Sequence, residues 1–411
     1  MGSRHRIFVS GMIASDPHQA GATWAVLQYV LGLRGLGYDV YLVEPIAAAA
    51  LRPLGTSLPA SINADYFRQI ASQFGLTDRA ALLRQETRET VGMPYDDLLR
   101  AAQGSVALIN ISGMLRESAL FEPFPCRVYL DLDPAFNQLW HAAEGIDVRL
   151  DGHTHFVTVG CLIGTPRCEI PTCGRDWLPT QPPIMLSEWP VTPESPVAAW
   201  TTVGNWRGYG SIQFRGVLYG QRAHSFRRFM ELPGRAAGRF QPAIAIHPGE
   251  VKDLEAFSTH AWDLVDPTDA AGTPDRYREF IQRSKGELGI AKSGYVESRC
   301  GWFSDRSVCY LASARPVVAQ DTGFSEYLPT GEGLFAFNTL DDAVDAIETV
   351  NADYARHCRR AREIAEAYFR AERVLCRLLE RIGVADDTTC QRARLAGASV
   401  GPSALTRDPA G

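Results

Sequence analysis

The sequence contains few lysines, and its basic residues do not outnumber its acidic ones. Lysine occurs only as Lys252, Lys285 and Lys292, so arginine supplies almost all of the 41 basic residues. With 47 acidic residues, the formal net charge is −6. A protein that binds nucleic acid broadly needs a basic face. We therefore expect no nucleic-acid partner, although a local cationic pocket for a small anion is compatible with this balance.

Long apolar runs and paired cysteines are also missing. No run approaches the ~20 apolar residues that a membrane-spanning helix needs. Residues 7–10, after a basic N-terminus, are too few for the apolar core of a signal peptide. The nine cysteines are an odd number without a C-x-x-C pair, which argues against a disulfide framework and a standard zinc module. We expect a cytoplasmic protein without a membrane span or a bound metal.

Short apolar stretches alternate with helical periodicities along most of the chain. A strand at 7–9, a helix at 22–36 and a strand at 39–44 form a unit that favours a parallel sheet with a right-handed crossover. Further strands are predicted at 106–111 and 128–132 and, after a proline-rich stretch, at 199–203, 243–247, 262–265, 287–291, 317–320 and 334–337. The pattern predicts an α/β protein built from two parallel-sheet domains.

The domain boundaries are expected to follow this alternation. An N-terminal Rossmann-like domain covers residues 1–165, a proline-rich linker covers 166–196, and a C-terminal Rossmann-like domain covers 197–365. A C-terminal helix at 366–384 is expected to pack back on the N-terminal domain. The small, polar tail at 385–411 is expected to be disordered.

The loops after the strands of the second domain contain candidates for anion binding. In open parallel sheets, ligands bind at the carboxyl ends of the strands, where helix N-termini supply free N–H groups. Ser304 is a good N-cap with Arg306 and Ser307 in the first turn after it, and Lys292 ends the preceding strand. Together these side chains could bind a diphosphate. The alternative is an ordinary capped helix with a surface arginine and lysine.

Several segments resemble one known superfamily. Residues 314–323 (ARPVVAQDTG) and 326–337 (EYLPTGEGLFAF), followed by an aspartate-rich helix, resemble the nucleotide-sugar half of GT-B glycosyltransferases. The likeness covers residues 6–44 and 285–383. The first of these ranges resembles the first strand-helix-strand unit of that superfamily. It implies a GT-B-like fold, in which two Rossmann-like domains face each other across a cleft, and a nucleotide-sugar donor. It also implies that no cofactor is required and that Mg²⁺ is not essential.

The resemblance implies further donor contacts in the second domain. It places three residues after a predicted strand against the sugar or nucleotide: Asp321, Thr322 and Gly323. His247, at the end of another strand, would lie near the base. Trp206 and Arg207, in a loop rich in small residues, would stack on or pair with the diphosphate-bearing donor. A bare flexible turn is the alternative for that loop.

One signature of the superfamily is missing. Retaining members often carry two glutamates eight positions apart before the Pro-Val-Val strand, where this sequence has Gly301 and Cys309. The stereochemical outcome of a transfer reaction, inverting or retaining, therefore stays open.

The loop after the first strand is the candidate for the acceptor side. His18 in this loop resembles the catalytic base of inverting glycosyltransferases, because imidazole can accept the acceptor's proton near neutral pH. Asp131 or Asp133, at the end of a predicted strand, would orient it. A solvated loop histidine is the alternative. Gly21 would lie against the donor phosphates, and His155 would line the cleft on the acceptor side.

Together these features favour a glycosyltransferase that transfers a sugar from a nucleotide-sugar donor to a small-molecule acceptor, such as a secondary metabolite. Two alternatives share the same fold. A nucleotide-sugar 2-epimerase would need no acceptor, and a non-catalytic binding protein would not consume its nucleotide sugar. The sequence indicates no oligomeric state.

Overall fold

The computed structural model describes residues 5–193 and 198–385, which form two parallel sheets with helices packed around them. Of the predicted tail, residues 386–411 lie outside the described part of the chain. No helix among the described residues is long and apolar enough to span a membrane. The predicted fold class, two parallel-sheet units, is confirmed.

Eight strands form the first sheet: β1 (Arg6–Ser10), β2 (Asp39–Ile46), β3 (Ala80–Arg84), β4 (Thr90–Gly92), β5 (Ala107–Ile111), β6 (Cys126–Asp131), β7 (His155–Thr158) and β8 (Trp177–Pro179). Their order is β4-β3-β2-β1-β5-β6-β7-β8, and only β3 and β4 pair antiparallel. The helices of this half are α1 (Ala20–Gly35), α2 (Ile62–Gln73), α3 (Tyr95–Ala102), α4 (Ser118–Phe121) and α5 (Phe136–Ala143), with short 3-10 helices at Ala48–Ala50 and Leu58–Ala60. The central strands are buried on both faces, which explains their continuous apolar runs.

The second half contains β9 (Trp200–Asn205), β10 (Ile212–Phe214), β11 (Val217–Tyr219), β12 (Phe240–Ala245), β13 (Gly286–Gly289), β14 (Val317–Gln320) and β15 (Leu334–Phe337). Five of them form a parallel sheet in the order β12-β9-β13-β14-β15, and β10 and β11 form an antiparallel hairpin. Its helices are α6 (Arg222–Phe226), α7 (Val251–Thr259), α8 (Pro267–Ala271), α9 (Pro274–Gln282), α10 (Ser293–Ser298), α11 (Asp305–Ala312), α12 (Leu340–Ala352), α13 (Tyr354–Ile364) and α14 (Ala371–Arg381). Short 3-10 helices occur at Arg227–Phe229, Leu232–Gly234 and Phe324–Glu326, and a π-helical turn at Ala365–Phe369.

Local sequence signals explain where several helices begin and end. The Thr339 hydroxyl accepts a hydrogen bond from the Asp342 amide, and the Asp342 carboxylate accepts one from the Thr339 amide, so α12 begins with a capping box. Gly37 follows α1 with φ at 92°, in the left-handed region that glycine adopts without steric cost. The chain can therefore turn directly from α1 into β2.

The last helix, α14, packs on α1 of the first half. A Cβ atom on Gly32 of α1 would lie 2.4 Å from a methyl group of Leu375, so this close approach depends on glycine. Ile184, which follows β8, donates a backbone hydrogen bond to Phe369, just before α14 (2.7 Å). It accepts one from Ala371, the first residue of α14 (2.9 Å). The end of the described chain is therefore attached to the first sheet and its helices.

Two segments differ from their predicted structure. The proline-rich stretch predicted as a linker contains β8, which pairs in parallel with β7 and forms an edge of the first sheet. The stretch predicted as a strand at 262–265 makes only isolated backbone hydrogen bonds to Phe240 and Pro242 of β12. Its apolar residue Trp262 is buried in the core of the second half, which accounts for the strand-like composition.

The two halves meet through the loops at the carboxyl ends of their strands. After β7, Leu162 donates a backbone hydrogen bond to Cys300 (2.9 Å), and Gly160 pairs with Trp302 in an isolated bridge. The Glu326 carboxylate accepts hydrogen bonds from Arg167 of the first half (2.6 Å) and Arg299 of the second (2.9 Å). The carboxyl edges of the two sheets therefore face each other across a cleft.

Candidate functional site

His18 lies in the loop after β1, exposed and at the boundary between the halves. Its Nδ1 atom is 3.3 Å from the carbonyl oxygen of Gly272, and its ring packs edge-on against Tyr66. The backbone of His18 is left-handed, with φ at 67°, which is uncommon for a residue other than glycine. The structure thus holds His18 against the second half, but no carboxylate of the described residues is among its hydrogen-bond or ion-pair partners.

Asp131, predicted as a partner of His18, is instead fully buried at the end of β6. Its carboxylate accepts hydrogen bonds from Asn137 (2.7 Å), Gln138 (2.8 Å) and Thr158 (2.9 Å), and from the backbone amide of Asp133 (3.1 Å). Burial raises the pKa of Asp131 to about 6, and the three side-chain donors oppose that rise. The predicted His18–Asp131 pair is wrong, because both oxygens of Asp131 are used to fix its own loop.

The loop that Asp131 fixes has an unusual backbone. Ala135, which is fully buried, has φ at 69° and ψ at −48°, a conformation that non-glycine residues adopt only under strain. Such strain persists where the surrounding structure determines it. Here the four hydrogen bonds to Asp131 hold the loop, and the loop directs Asp133 into the cleft.

Asp133 makes polar contacts across the cleft. Its Oδ2 atom accepts a hydrogen bond from the Tyr209 hydroxyl (2.6 Å), and its Oδ1 atom accepts one from the Tyr295 hydroxyl. The Lys292 ammonium lies 3.5 Å from the same Oδ1 atom. Burial, followed by the negative charge of Asp133, raises the pKa of both tyrosines well above the ordinary value. Both hydroxyls therefore remain hydrogen-bond donors.

Lys292 is the third residue after β13, and α10 begins at the next residue, so Lys292 follows a strand at the carboxyl edge as the sequence predicted. Its ammonium lies 4.1 Å from the ring centre of Tyr209, 5.1 Å from that of Phe136 and 5.2 Å from that of Tyr295. Burial lowers the pKa of Lys292, Asp133 opposes that effect, and the positive charge of Arg222 adds to it. The structure thus joins a residue predicted for the donor, Lys292, to one predicted for the acceptor, Asp133.

Arg222, at the start of α6, is a functional candidate that the sequence did not reveal. It is only 6% exposed, and its Nη1 atom donates to the carbonyl oxygen of Ile290 (2.6 Å), at the end of β13. Its buried Nε atom has no hydrogen-bond partner, and Arg222 forms no ion pair within residues 5–193 and 198–385. Burial and the nearby charge of Arg306 lower the pKa of Arg222 to about 9, although Glu287 opposes the shift. A buried cation without a counter-ion at this edge suits an anionic ligand.

Arg306, predicted to bind a diphosphate, is engaged within the second sheet. Its Nε atom donates to the buried carboxylate of Glu287 (2.5 Å), and its Nη1 atom donates to the Val203 carbonyl oxygen (3.0 Å). Burial alone would lower the pKa of Arg306, but the Glu287 carboxylate raises it above the ordinary value. The guanidinium therefore already has its anion, and the structure gives it a role in joining β9, β13 and α11.

The other residues predicted around α11 also make local contacts. Ser304 caps the helix by accepting from the Arg306 amide (3.2 Å), and Ser307 is buried. A small cavity of about 10 Å³, room for about one water molecule, lies beside them at the ends of β13 and β14. Its polar lining includes Ser304, Arg306, Ser307, Gln320 and Thr322.

The three residues after β14 shape the turn that follows. The Asp321 carboxylate accepts from the amide of Gly323 (2.9 Å) and from the hydroxyl of Ser325 (2.8 Å), and Thr322 donates to the carbonyl oxygen of Trp302. A Cβ atom on Gly323 would lie 2.8 Å from a methyl group of Leu162 in the first half. These residues border the cleft and hold its shape.

The side chains of Trp206, Arg207 and His247 make their contacts with residues other than Asp133, Lys292 and Arg222. Trp206 is buried in the core and donates to Asp253 (2.8 Å), while Arg207 pairs with Glu250 on the surface (2.5 Å). His247 is exposed, and its Nδ1 atom accepts from the amide of Gly249. Trp206 therefore stabilises the second half through its core. The sequence did not show this, because it does not distinguish a buried indole from one that faces the cleft.

Gly21 and His155 differ in their relation to the cleft. A Cβ atom on Gly21 would lie 3.6 Å from the ring of Tyr277, so this end of α1 faces α9 of the second half. His155 is the first residue of β7, beside Thr154 (2.9 Å) and the Cys126 thiol (3.6 Å) at the start of β6. It lies at the amino edge of the first sheet, opposite the cleft, so its predicted place on the acceptor side is wrong.

Glu44 is a second candidate that the sequence did not reveal. It is fully buried at the carboxyl end of β2 and accepts backbone hydrogen bonds from Ala14 (2.8 Å) and Ser15 (2.6 Å) in the loop that carries His18. Asn63, also fully buried, donates to the Ala14 carbonyl oxygen (2.7 Å). Burial raises the pKa of Glu44 to about 6, and the amides of Ala14 and Ser15 oppose the rise. Two buried polar side chains therefore fix this loop.

A metal site is not evident in the described part of the chain. Within residues 5–193 and 198–385, no three histidine, cysteine, aspartate or glutamate side chains are grouped as metal ligands. The groups that could hold an anion at the cleft are cationic side chains, Arg222 and Lys292.

Two parallel sheets whose carboxyl edges face each other across a cleft define the GT-B fold, and this protein has that fold. HepE of Anabaena, solved with UDP and glucose, matches it with a TM-score of 0.57 and 10% identity, over 93% of this chain and 100% of the HepE chain. An α-glucosyltransferase solved with UDP and a 13-mer DNA matches with a TM-score of 0.56 and 11% identity, over 93% and 100% of the two chains. No protein-family model matches the sequence, and no curated protein matches it.

Proposed function

We propose that the protein is a glycosyltransferase that transfers a sugar from a nucleotide-sugar donor to a small-molecule acceptor. The observation that carries the proposal is Arg222, a buried guanidinium at the carboxyl edge of the second sheet that forms no ion pair with any described residue and lies close enough to Lys292 to lower its pKa. A diphosphate supplies the negative charge that this edge lacks. The fold, which the solved structures with bound UDP share, supports a nucleoside diphosphate as that ligand.

The reaction would proceed by attack of an acceptor oxygen on the anomeric carbon of the donor sugar. A bond forms between that oxygen and carbon, and the bond from the carbon to the diphosphate breaks, with its electron pair leaving on the diphosphate. Arg222 and Lys292 would stabilise the negative charge that develops there, because preorganised cations in a site with little water act strongly. In this proposal they offset the leaving-group charge without a metal ion.

His18 remains our proposed base for the acceptor proton. If its Nδ1–H donates to the Gly272 carbonyl oxygen, the Nε2 atom is left as the proton acceptor. The loop fixed by Glu44 and Asn63 would then position the imidazole, in place of the carboxylate partner expected from the sequence. The net charge of −6 favours a small molecule over a nucleic acid as the acceptor.

The test is calorimetric titration with UDP, GDP, ADP, CDP and dTDP, each with Mg²⁺ and with EDTA. We expect one diphosphate to bind with and without the metal, and Arg222→Met to weaken that binding by about tenfold or more. Arg227→Met is the matched control, because Arg227 lies five residues away and already pairs with Asp253 (2.8 Å). No binding of any diphosphate, or equal loss in both variants, would contradict the donor site.

The same nucleotide identifies the donor to use for activity. Incubation of the matching nucleotide sugar with the protein alone separates transfer from the two alternatives. A transferase needs an acceptor for rapid consumption, a 2-epimerase converts the donor without one, and a binding protein leaves it unchanged.

A further inference from the structure

Lys292 has a carboxylate of this same chain as a close neighbour. Asp133, from the other side of the cleft, places Oδ1 3.5 Å from the Lys292 ammonium. The hydroxyls of Tyr209 and Tyr295 donate to the two oxygens of this carboxylate and hold it in place. The contact is therefore built from both halves of the molecule and is not an isolated surface pair.

The loop that carries Asp133 is arranged to make this contact. The buried Asp131 carboxylate accepts from the Asp133 amide, and the adjoining Ala135 keeps a strained backbone with φ at 69°. A surface loop could relax this strain by moving away from the cleft. The structure instead holds a carboxylate at a fixed place opposite a lysine, in a sequence that has only three lysines.

Arg222 differs from Lys292 in this respect. Its guanidinium has one backbone acceptor, Ile290, and no carboxylate in the described part of the chain within ion-pair distance. An incoming diphosphate would therefore find Arg222 free of a competing anion. At Lys292 it would meet Asp133, and two anions cannot share one ammonium without strong repulsion.

We propose that Asp133 is an internal anion that competes with the donor diphosphate for Lys292 and thereby sets the affinity of the protein for its donor. This inference rests on the proposed donor site. Binding of the diphosphate displaces the Asp133 carboxylate from the ammonium, and Tyr209 and Tyr295 lose a partner at the same time. Removal of the Asp133 charge alone should therefore strengthen diphosphate binding.

The test compares UDP dissociation constants, measured by calorimetry, for the full chain and two variants. Asp133→Asn removes the charge and keeps the shape, and we expect roughly five- to tenfold tighter binding of UDP. Glu326→Gln is the control, because Glu326 is also a carboxylate that joins the two halves, through Arg167 and Arg299, and it does not contact Lys292. We expect its UDP affinity to change by less than about twofold.

Unchanged or weaker UDP binding by Asp133→Asn would overturn the proposal. An equal gain in UDP affinity in Glu326→Gln would also overturn it, because it would show that weaker contacts between the two halves are the cause. If Asp133→Asn unfolds at a lower temperature than the wild type, the UDP dissociation constant of Asp133→Ser is measured instead, and the same tighter binding is expected. If the wild type binds UDP and Arg222→Met does not, the proposed donor site is supported even when Asp133→Asn shows no competition at Lys292. If the wild type and both Asp133 variants bind neither UDP nor any of the four other diphosphates, the inference and the donor site are overturned together.

Discussion

The two edges that face each other across the cleft are built from charges of opposite sign. On the first sheet, the buried carboxylates of Glu44 and Asp131 are saturated with hydrogen-bond donors and hold two loops. On the second sheet, Arg306 has its anion in Glu287, whereas Arg222 has no ion-pair partner among the residues that the structure describes. The first edge thus uses its charges for loop geometry, and on the second edge we propose that the unpaired positive charge serves a ligand. Substitutions at the paired Arg306–Glu287 and at the unpaired Arg222 should therefore have opposite effects on stability.

The largest effect should follow from breaking the paired cation. Glu287→Gln leaves the buried Arg306 guanidinium without a counter-ion, and we expect the free energy of unfolding to fall by about 3–5 kcal/mol. Urea unfolding monitored by circular dichroism measures it. A loss no larger than that of an exposed pair, such as Arg239 with Asp263, would contradict the assignment of Arg306 to a buried structural pair.

A smaller effect, with a definite pH dependence, is expected at the first edge. The folded pKa of Glu44 is about 6 against an ordinary value of 4.5, so the folded state binds this proton more tightly than the unfolded chain. Stability from that proton is present below pH 4.5 and is lost as the pH rises through about 6. Glu44→Gln carries no such proton, so the stability advantage of the wild type over this variant should shrink by about 2 kcal/mol between pH 4 and pH 7.

Unfolding of both proteins in urea across that pH range measures this difference. The variant can still accept the Ala14 and Ser15 amides through its one oxygen, so it is a fair neutral replacement. A stability difference that stays constant, or that grows with pH, would contradict the raised pKa.

The unpaired cation should behave in the opposite way to the paired one. Arg222→Met removes a buried charge that has no ion pair among the described residues, and it loses the hydrogen bond to Ile290. We expect the ligand-free variant to be as stable as the wild type, or more stable by about 1 kcal/mol, while its UDP affinity falls. Thermal unfolding without and with UDP measures both. Strong destabilisation of the ligand-free variant would indicate that Arg222 is a structural residue.

The smallest effect is expected at the amino edge of the first sheet. His155→Gln alters a side chain beside Thr154 and Cys126, on the far side of the sheet from the cleft. UDP affinity and the rate of sugar transfer should change by less than about twofold. A tenfold loss in UDP affinity or in the transfer rate would contradict the placement of His155 away from the cleft.

The sequence predicted the fold well because its signals are local. Apolar runs such as Val317-Val318-Ala319 belong to buried parallel strands, and the likeness at the two ends of the chain already implied the GT-B arrangement. The sequence predicts the position of Lys292 at the carboxyl edge because lysine is rare here and because it follows an apolar strand. These inferences need only neighbouring residues, so no knowledge of tertiary contacts was required.

The charge pairing within the site could not be predicted, because it depends on residues distant in the sequence. Arg306 was expected to bind phosphate, and only the structure shows that Glu287 on an adjacent strand neutralises it. Arg222 is one among many arginines, and its lack of a counter-ion is visible only after folding. His155 was misplaced because no strand was predicted at β7, so the direction of the chain there was unknown.

The most direct test of the account is a crystal structure with UDP. We predict that the diphosphate lies within hydrogen-bond distance of Arg222 and Lys292 at the carboxyl edge of the second sheet, and that Asp133 has moved away from the Lys292 ammonium. A diphosphate bound elsewhere, with Arg222 still buried against Ile290 and the Lys292–Asp133 contact intact, would contradict the central claim that the unpaired cation marks the donor site.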